Sequence, residues 1–212
     1  MALAWFLTCL AALSGTLHVW AHYAGRKRLV YLFKPLTVTL LLVMVLAATG
    51  VSAAPRYQAA IAAGLACSIA GDVFLMLPGD RFLPGVASFL LAHLAYLVAF
   101  TTGSSLGSPV LIVPYALLGG VTLAAVWRGL GSMKVPVIVY VAVIVAMAWQ
   151  AMTRMAVVGS TGAVLAAQGA TLFVVSDATL AVNRFRKPFP SAQALIHATY
   201  YAAQALIAWS AL

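Results

Sequence analysis

Apolar runs of about twenty residues follow one another along nearly the whole chain, divided only by short breaks rich in Gly, Pro, Ser and basic residues. That pattern leaves few folds open. A helix crossing the hydrocarbon core of a bilayer needs roughly 20 apolar residues, and eight segments fit: 2–22, 29–50, 59–77, 83–102, 109–127, 135–152, 161–182 and 191–212. The breaks are Ala24–Arg28, Ser52–Arg56, Pro78–Arg81, Gly103–Ser108, Arg128–Lys134, Arg154–Thr161 and Asn183–Pro190, all of the turn-forming kind. The segments do not alternate apolar and polar residues, as lipid-facing strands would. The expected fold is therefore all-α, a polytopic membrane protein of eight transmembrane helices forming a single membrane-embedded domain over 1–212.

Composition agrees. Of 212 residues 65% are hydrophobic and 7% charged, which leaves too little polar surface to cover a water-soluble domain. The first segment carries no basic stretch before it and is read as a retained helix rather than a cleaved leader. Net charge is +9; in short loops this sets topology, and no nucleic-acid partner is expected. Loops after the odd-numbered helices carry nine of the Lys and Arg residues and those on the other side only Arg56 and Arg154. By the positive-inside rule the odd loops face the cytoplasm and both termini the opposite side. Cys9 and Cys67 stand alone in apolar segments and are read as small packing residues.

Against this background the polar residues inside the segments are conspicuous. The chain has three acidic residues, and two of them, Asp72 and Asp177, lie within apolar runs. An Asp at the centre of a membrane helix costs roughly 2.5–3.5 kcal/mol, so its presence points to function. With the orientation above, Asp72 lies about five residues, or roughly 8 Å, from the inner end of its helix, and Asp177 at a similar depth. Lys34, Tyr140 and His197 enter their helices to about the same level, with His93 and Tyr200 somewhat deeper. The order Asp, Arg-Phe, Pro, His, Tyr also occurs twice: Asp72 and Asp177 are 105 residues apart, His93 and His197 104, Tyr96 and Tyr200 104. Such spacing fits two parallel four-helix repeats that would bring both acids to one axis.

Two carboxylates facing each other in a medium of low dielectric cannot both ionise cheaply. A protonated acid beside a carboxylate suits general acid–base chemistry through an oxocarbenium-like state; a proton relay or helix-packing hydrogen bonds would use the same residues. Lys34 has three readings: partner to an Asp, anchor for a phosphate, or a side chain snorkelling to the interface. Pro35 beside it is expected in the first turns of its helix, where proline is tolerated. On the last helix Gln193, His197, Tyr200, Tyr201 and Gln204 form one polar stripe, which must face the bundle interior. His93 and Tyr96 make a shorter stripe on the fourth. His18 and His22 have metal-ligand spacing but are read as an interfacial pair at the outer end of the first helix, away from the acids. Asp80 is read as a turn residue beside Arg81, without chemistry.

These residues fall into pieces that resemble the YhhN-like family of lysoplasmalogenases: Phe33-Lys34-Pro35-Leu36-Thr37, Gly71-Asp72-x-x-Leu75, Phe82-x-x-Gly85-x-x-x-Phe89-x-x-Ala92-His93-x-x-Tyr96, Tyr140, Gly169-Ala170-x-x-Phe173-x-x-Ser176-Asp177 and Tyr201-x-Ala203-Gln204. The pieces run from the second helix to the last. The resemblance implies hydrolysis of the vinyl ether bond of a lysophospholipid, with Asp72 and Asp177 as the catalytic pair and no cofactor or metal. Lys34, His93, Tyr140, His197 and Tyr200 are then expected to bind substrate. The competing readings are a proton-coupled carrier using the same acids, and a lipid-binding scaffold in which they are inert. Headgroup preference and oligomeric state are not legible.

Overall fold

The computed structural model describes residues 1–48, 54–105 and 107–212. Its helices are α1 (Ala2–Tyr23), α2 (Lys27–Ala47), α3 (Pro55–Met76), α4 (Phe82–Thr101), α5 (Val113–Val126), α6 (Lys134–Val158), α7 (Thr161–Phe185) and α8 (Ala192–Trp209), and among the described residues there is no strand. Short 3-10 turns at Pro109–Ile112 and Trp127–Gly129 lengthen α5 at both ends. Seven of the eight helices are long and apolar enough to cross a membrane. The exception is α8, which has 18 residues and carries the polar stripe. The end of the second helix expected at Gly50, Ser52 and Ala53 of the next break, and Leu106 lie outside the described residues.

Consecutive helices pack against one another, most closely in the pairs α1–α2, α3–α4 and α7–α8, except that α4 packs against α6 rather than α5; the α4–α6 and α2–α8 contacts join the halves. One apolar cluster runs through the interior, from Leu41 and Ile61 past Tyr96, Phe100 and Phe173 to Ile207. The outer surface is equally apolar: Trp5, Phe6, Leu91, Val98 and Val121 are more than half exposed. A chain inside out by the standards of water is in balance with lipid, since only the backbone must be satisfied internally and helices do that within each segment.

Three boundaries differ from the sequence expectation. Arg154, expected in a loop, lies inside α6, because no breaking residue precedes Gly159, whose positive φ (+63°) ends the helix in the left-handed conformation. Its guanidinium bends back to the Thr102 carbonyl and covers the ring of Tyr57. Asn183 and Arg184 likewise extend α7 by a turn. And α2 begins at Lys27, so Pro35 sits in its interior rather than its first turns; with no N–H it leaves the carbonyl one turn back without its helical donor.

Candidate active site

Asp72 reaches inward from the last turn and a half of α3. Its carboxylate accepts a 2.8 Å hydrogen bond from the hydroxyl of Tyr200 on α8 and lies 3.5 Å from the Lys34 ammonium on α2. Asp72 is only 2% exposed and Lys34 7%. Lys34 is paired with an Asp rather than snorkelling outward, and it also lines the cavity described below. Both charges have left water, and only their proximity plus the tyrosine hydrogen bond offsets that cost.

Asp177 projects from the equivalent turn of α7. The Tyr140 hydroxyl on α6 donates to it at 2.5 Å, and Nε2 of His93 on α4 lies 3.8 Å from the same oxygen. His93 is fully buried, edge-on to the rings of Phe173 and Tyr140. Neither of its ring nitrogens has a hydrogen-bond partner among the described residues. Among the described residues no Lys or Arg lies at salt-bridge distance from Asp177, whose nearest basic group is that imidazole, and its side chain is 15% exposed.

The two settings repeat one plan. Each acid is flanked by the second helix of its own half (Lys34 of α2, Tyr140 of α6) and by the fourth helix of the other half (Tyr200 of α8, His93 of α4). This exchange is what a parallel repeat about an axis along the membrane normal would produce. The chemistry is not duplicated: each acid accepts from a phenol, but only Asp72 has a lysine beside it, where Asp177 has a histidine ring.

Both carboxylates open onto one cavity of about 230 Å³, whose wall also includes Lys34, Ser176, Asn183, Arg184, Gln193, His197 and Tyr200. Of the expected site residues, five therefore line the cavity, and His93 and Tyr140 stand behind Asp177. Among these residues sequence reasoning passed over Ser176, Asn183 and Arg184. The last two were assigned to a loop, and only the extra turn of α7 brings them to the rim. Arg184 lies over the ring of Phe82, and its Nη2 donates to both carboxylate oxygens of Asp80 at 2.8 Å. The partner of Asp80 is thus Arg184 rather than its neighbour Arg81. The pair is largely exposed, so it contributes little to stability; its place at the rim is what matters.

The polar stripe of α8 divides. Tyr200 turns to Asp72, and Gln204 accepts a 2.6 Å hydrogen bond from Tyr96. Tyr201 turns to α1, where its hydroxyl is 2.9 Å from Nδ1 of His18. His18 is buried and packs edge-on against His197 at 4.4 Å between centroids. The expectation that His18 lies away from the acids is therefore wrong. The C-terminal end of α1 meets the start of α2, which is the end of the bundle where Lys34 and Asp72 sit. Among the described residues no group of His, Cys, Asp and Glu is arranged to hold a metal ion.

A multi-span helical membrane protein with two interior acids around one cavity, each oriented by a tyrosine hydroxyl, is the class these features define. The chain belongs to the YhhN family, whose model matches residues 29–211. It is 40% identical over 157 residues, 74% of its length, to the human lysoplasmalogenase TMEM86B. It is 39% identical over 155 residues to the bovine lysoplasmalogenase TMEM86A. The matches span 65% and 63% of those two relatives. It is also 30% identical over 200 residues, covering 92% of this chain and 93% of the relative, to the uncharacterized membrane protein YhhN of Escherichia coli O157:H7. No solved structure matches.

Proposed function

We propose that the protein hydrolyses the vinyl ether bond of lysoplasmalogens, releasing a fatty aldehyde and a glycerophospho-base. The observation that carries this reading is the opening of Asp72 and Asp177, from different halves of the chain, onto one cavity within the bundle. Vinyl ethers hydrolyse by protonation at carbon to an oxocarbenium ion, which water captures. One acid supplies that proton; the other stabilises the cation and orients water. Tyr140 and Tyr200 fix the two carboxyl groups, so little reorganisation is needed as charge develops. Lys34 and Arg184 on the cavity wall supply positive charge for the phosphate of the headgroup, with Gln193 and His197 as further polar contacts.

The names of the mammalian relatives support this reaction, and the placement of basic loops supports a site reached from the cytoplasmic leaflet, with both termini on the other side. The whole chain acts as one membrane-embedded domain, without a metal or other cofactor. The deciding experiment incubates purified wild-type protein, Asp72→Asn and Asp177→Asn with choline and ethanolamine lysoplasmalogens and measures aldehyde release. Wild type should release aldehyde and both variants should lose it. Transport of a lipid or proton without any aldehyde would favour a carrier instead.

A further inference from the structure

Asp177, Leu75, Phe82 and Phe89 line a second space as well as the polar cavity. This space is a narrow slot of about 70 Å³ between α4, α5, α6 and α7, walled almost wholly by hydrocarbon. Along α6 it runs from Val137 to Val145, eight residues or roughly 12 Å. Asp72 lines the polar cavity but not the slot. The two carboxyl groups are therefore not equivalent toward a bound molecule. One stands at the junction of a polar and an apolar chamber, the other in the polar chamber alone, beside a lysine.

Resting on the function proposed above, we infer that the slot takes the part of the substrate's hydrocarbon chain next to the double bond, which makes Asp177 the proton donor and Asp72 the permanent carboxylate. The regiochemistry of the reaction requires the division. In an alkenyl ether the carbon that accepts the proton is on the chain side and the carbon attacked by water is on the oxygen side. A lipid with its chain in the slot and its headgroup in the polar cavity passes the junction at its double bond. The chain-side carbon then faces Asp177 and the ether carbon faces Asp72. Asp177, against an apolar wall with only the His93 ring as a basic neighbour, suits the part of proton donor; Asp72, 3.5 Å from an ammonium group, suits the part that remains a carboxylate.

The step balances. The proton of Asp177 passes to the second alkenyl carbon, taking the π electrons as a new C–H bond, while a lone pair on the ether oxygen forms the oxocarbenium bond. Asp72 faces that cation. Water adds at the first carbon and returns a proton to Asp177. The hemiacetal then transfers its hydroxyl proton to the ether oxygen as the C–O bond breaks, giving aldehyde and alcohol for one water consumed.

The occupant must be slender, because the slot is narrow and α5, the least buried of the seven long spans, closes its outer side. Gly119 on α5 sets the bore: a Cβ there would lie 2.9 Å from Val141 and 3.1 Å from Val145. Gly119→Leu should therefore lower kcat/KM for long-chain lysoplasmalogens about ten-fold more than for short-chain ones. Ile144→Ala, which removes bulk from the same wall, should shift preference toward long chains. A second readout uses a single-chain lipid with a protonated amine in place of the ether carbon, mimicking the cation. Its affinity should fall at least about ten-fold more in Asp72→Asn than in Asp177→Asn. Unchanged chain-length profiles in both wall variants would overturn the slot, and a greater loss of analogue binding in Asp177→Asn would overturn the division of roles. If wild type cleaves no lysoplasmalogen, the functional reading and the acid assignment fail together. The slot is then still decided by chain-length-dependent binding of a saturated ether analogue to wild type and the wall variants.

Discussion

Lys34 and Asp72 stand or fall together. Removing the charge of Lys34 leaves a carboxylate buried without its cation, and breaking a buried pair from one side costs about 3–5 kcal/mol. Lys34→Met should therefore lower the unfolding midpoint in detergent as well as activity, and the double variant with Asp72→Asn should recover most of the stability but none of the turnover. Equal destabilisation by the double variant would show that the pair is not what holds these helices. Tyr140 tests the other acid. Tyr140→Phe keeps the ring against His93 but removes the 2.5 Å hydrogen bond to Asp177. A hydrogen bond to a charged or titrating group contributes about 1.5–3 kcal/mol, so kcat should fall ten-fold or more with little change in KM.

At the scale of helices, the site depends on close approach between α3 and α4. Gly64 faces the ring of Tyr96, where an added Cβ would lie 2.2 Å from a ring carbon. Gly64 and the Tyr96 ring are both buried, and Tyr96 is tied to Gln204, so the ring has nowhere to turn. Gly64→Ala should cost about 1–3 kcal/mol by overpacking, read as a lower unfolding midpoint. It should also loosen the α3–α8 contact that aims Tyr200 at Asp72. Arg154 shows how an element can exceed its sequence signal. A charged residue near the end of an apolar run reads as a loop, yet its long stem lets the guanidinium reach the Thr102 carbonyl while the backbone stays helical.

For the molecule as a whole, the two acids and their partners lie toward one end of the bundle, and most of the basic loop residues lie at that same end. Cysteine placed at Arg186 in a Cys9- and Cys67-free background should react with an impermeant maleimide only after the membrane is opened from the cytoplasmic side. Cysteine at Arg56 should react from outside. The opposite pattern would put the cavity mouth on the other leaflet and remove the basis for an inner-leaflet substrate.

Length and spacing of the apolar runs determined that this chain is a helical bundle in a membrane, because a bilayer admits few other solutions for so little polarity. The cost of burying acids likewise marked Asp72 and Asp177 from sequence alone, and their depth suggested a common level. What sequence could not decide was partnership. Whether Lys34 snorkels or pairs, which way Tyr200 and Tyr201 diverge from one stripe, and that His18 belongs with His197 all depend on how helices rotate against one another, and a one-dimensional hydrophobic pattern leaves that rotation free in lipid. Only tertiary packing gave one acid a cation and set the other at the mouth of an apolar slot, turning two like residues into unlike chemical groups.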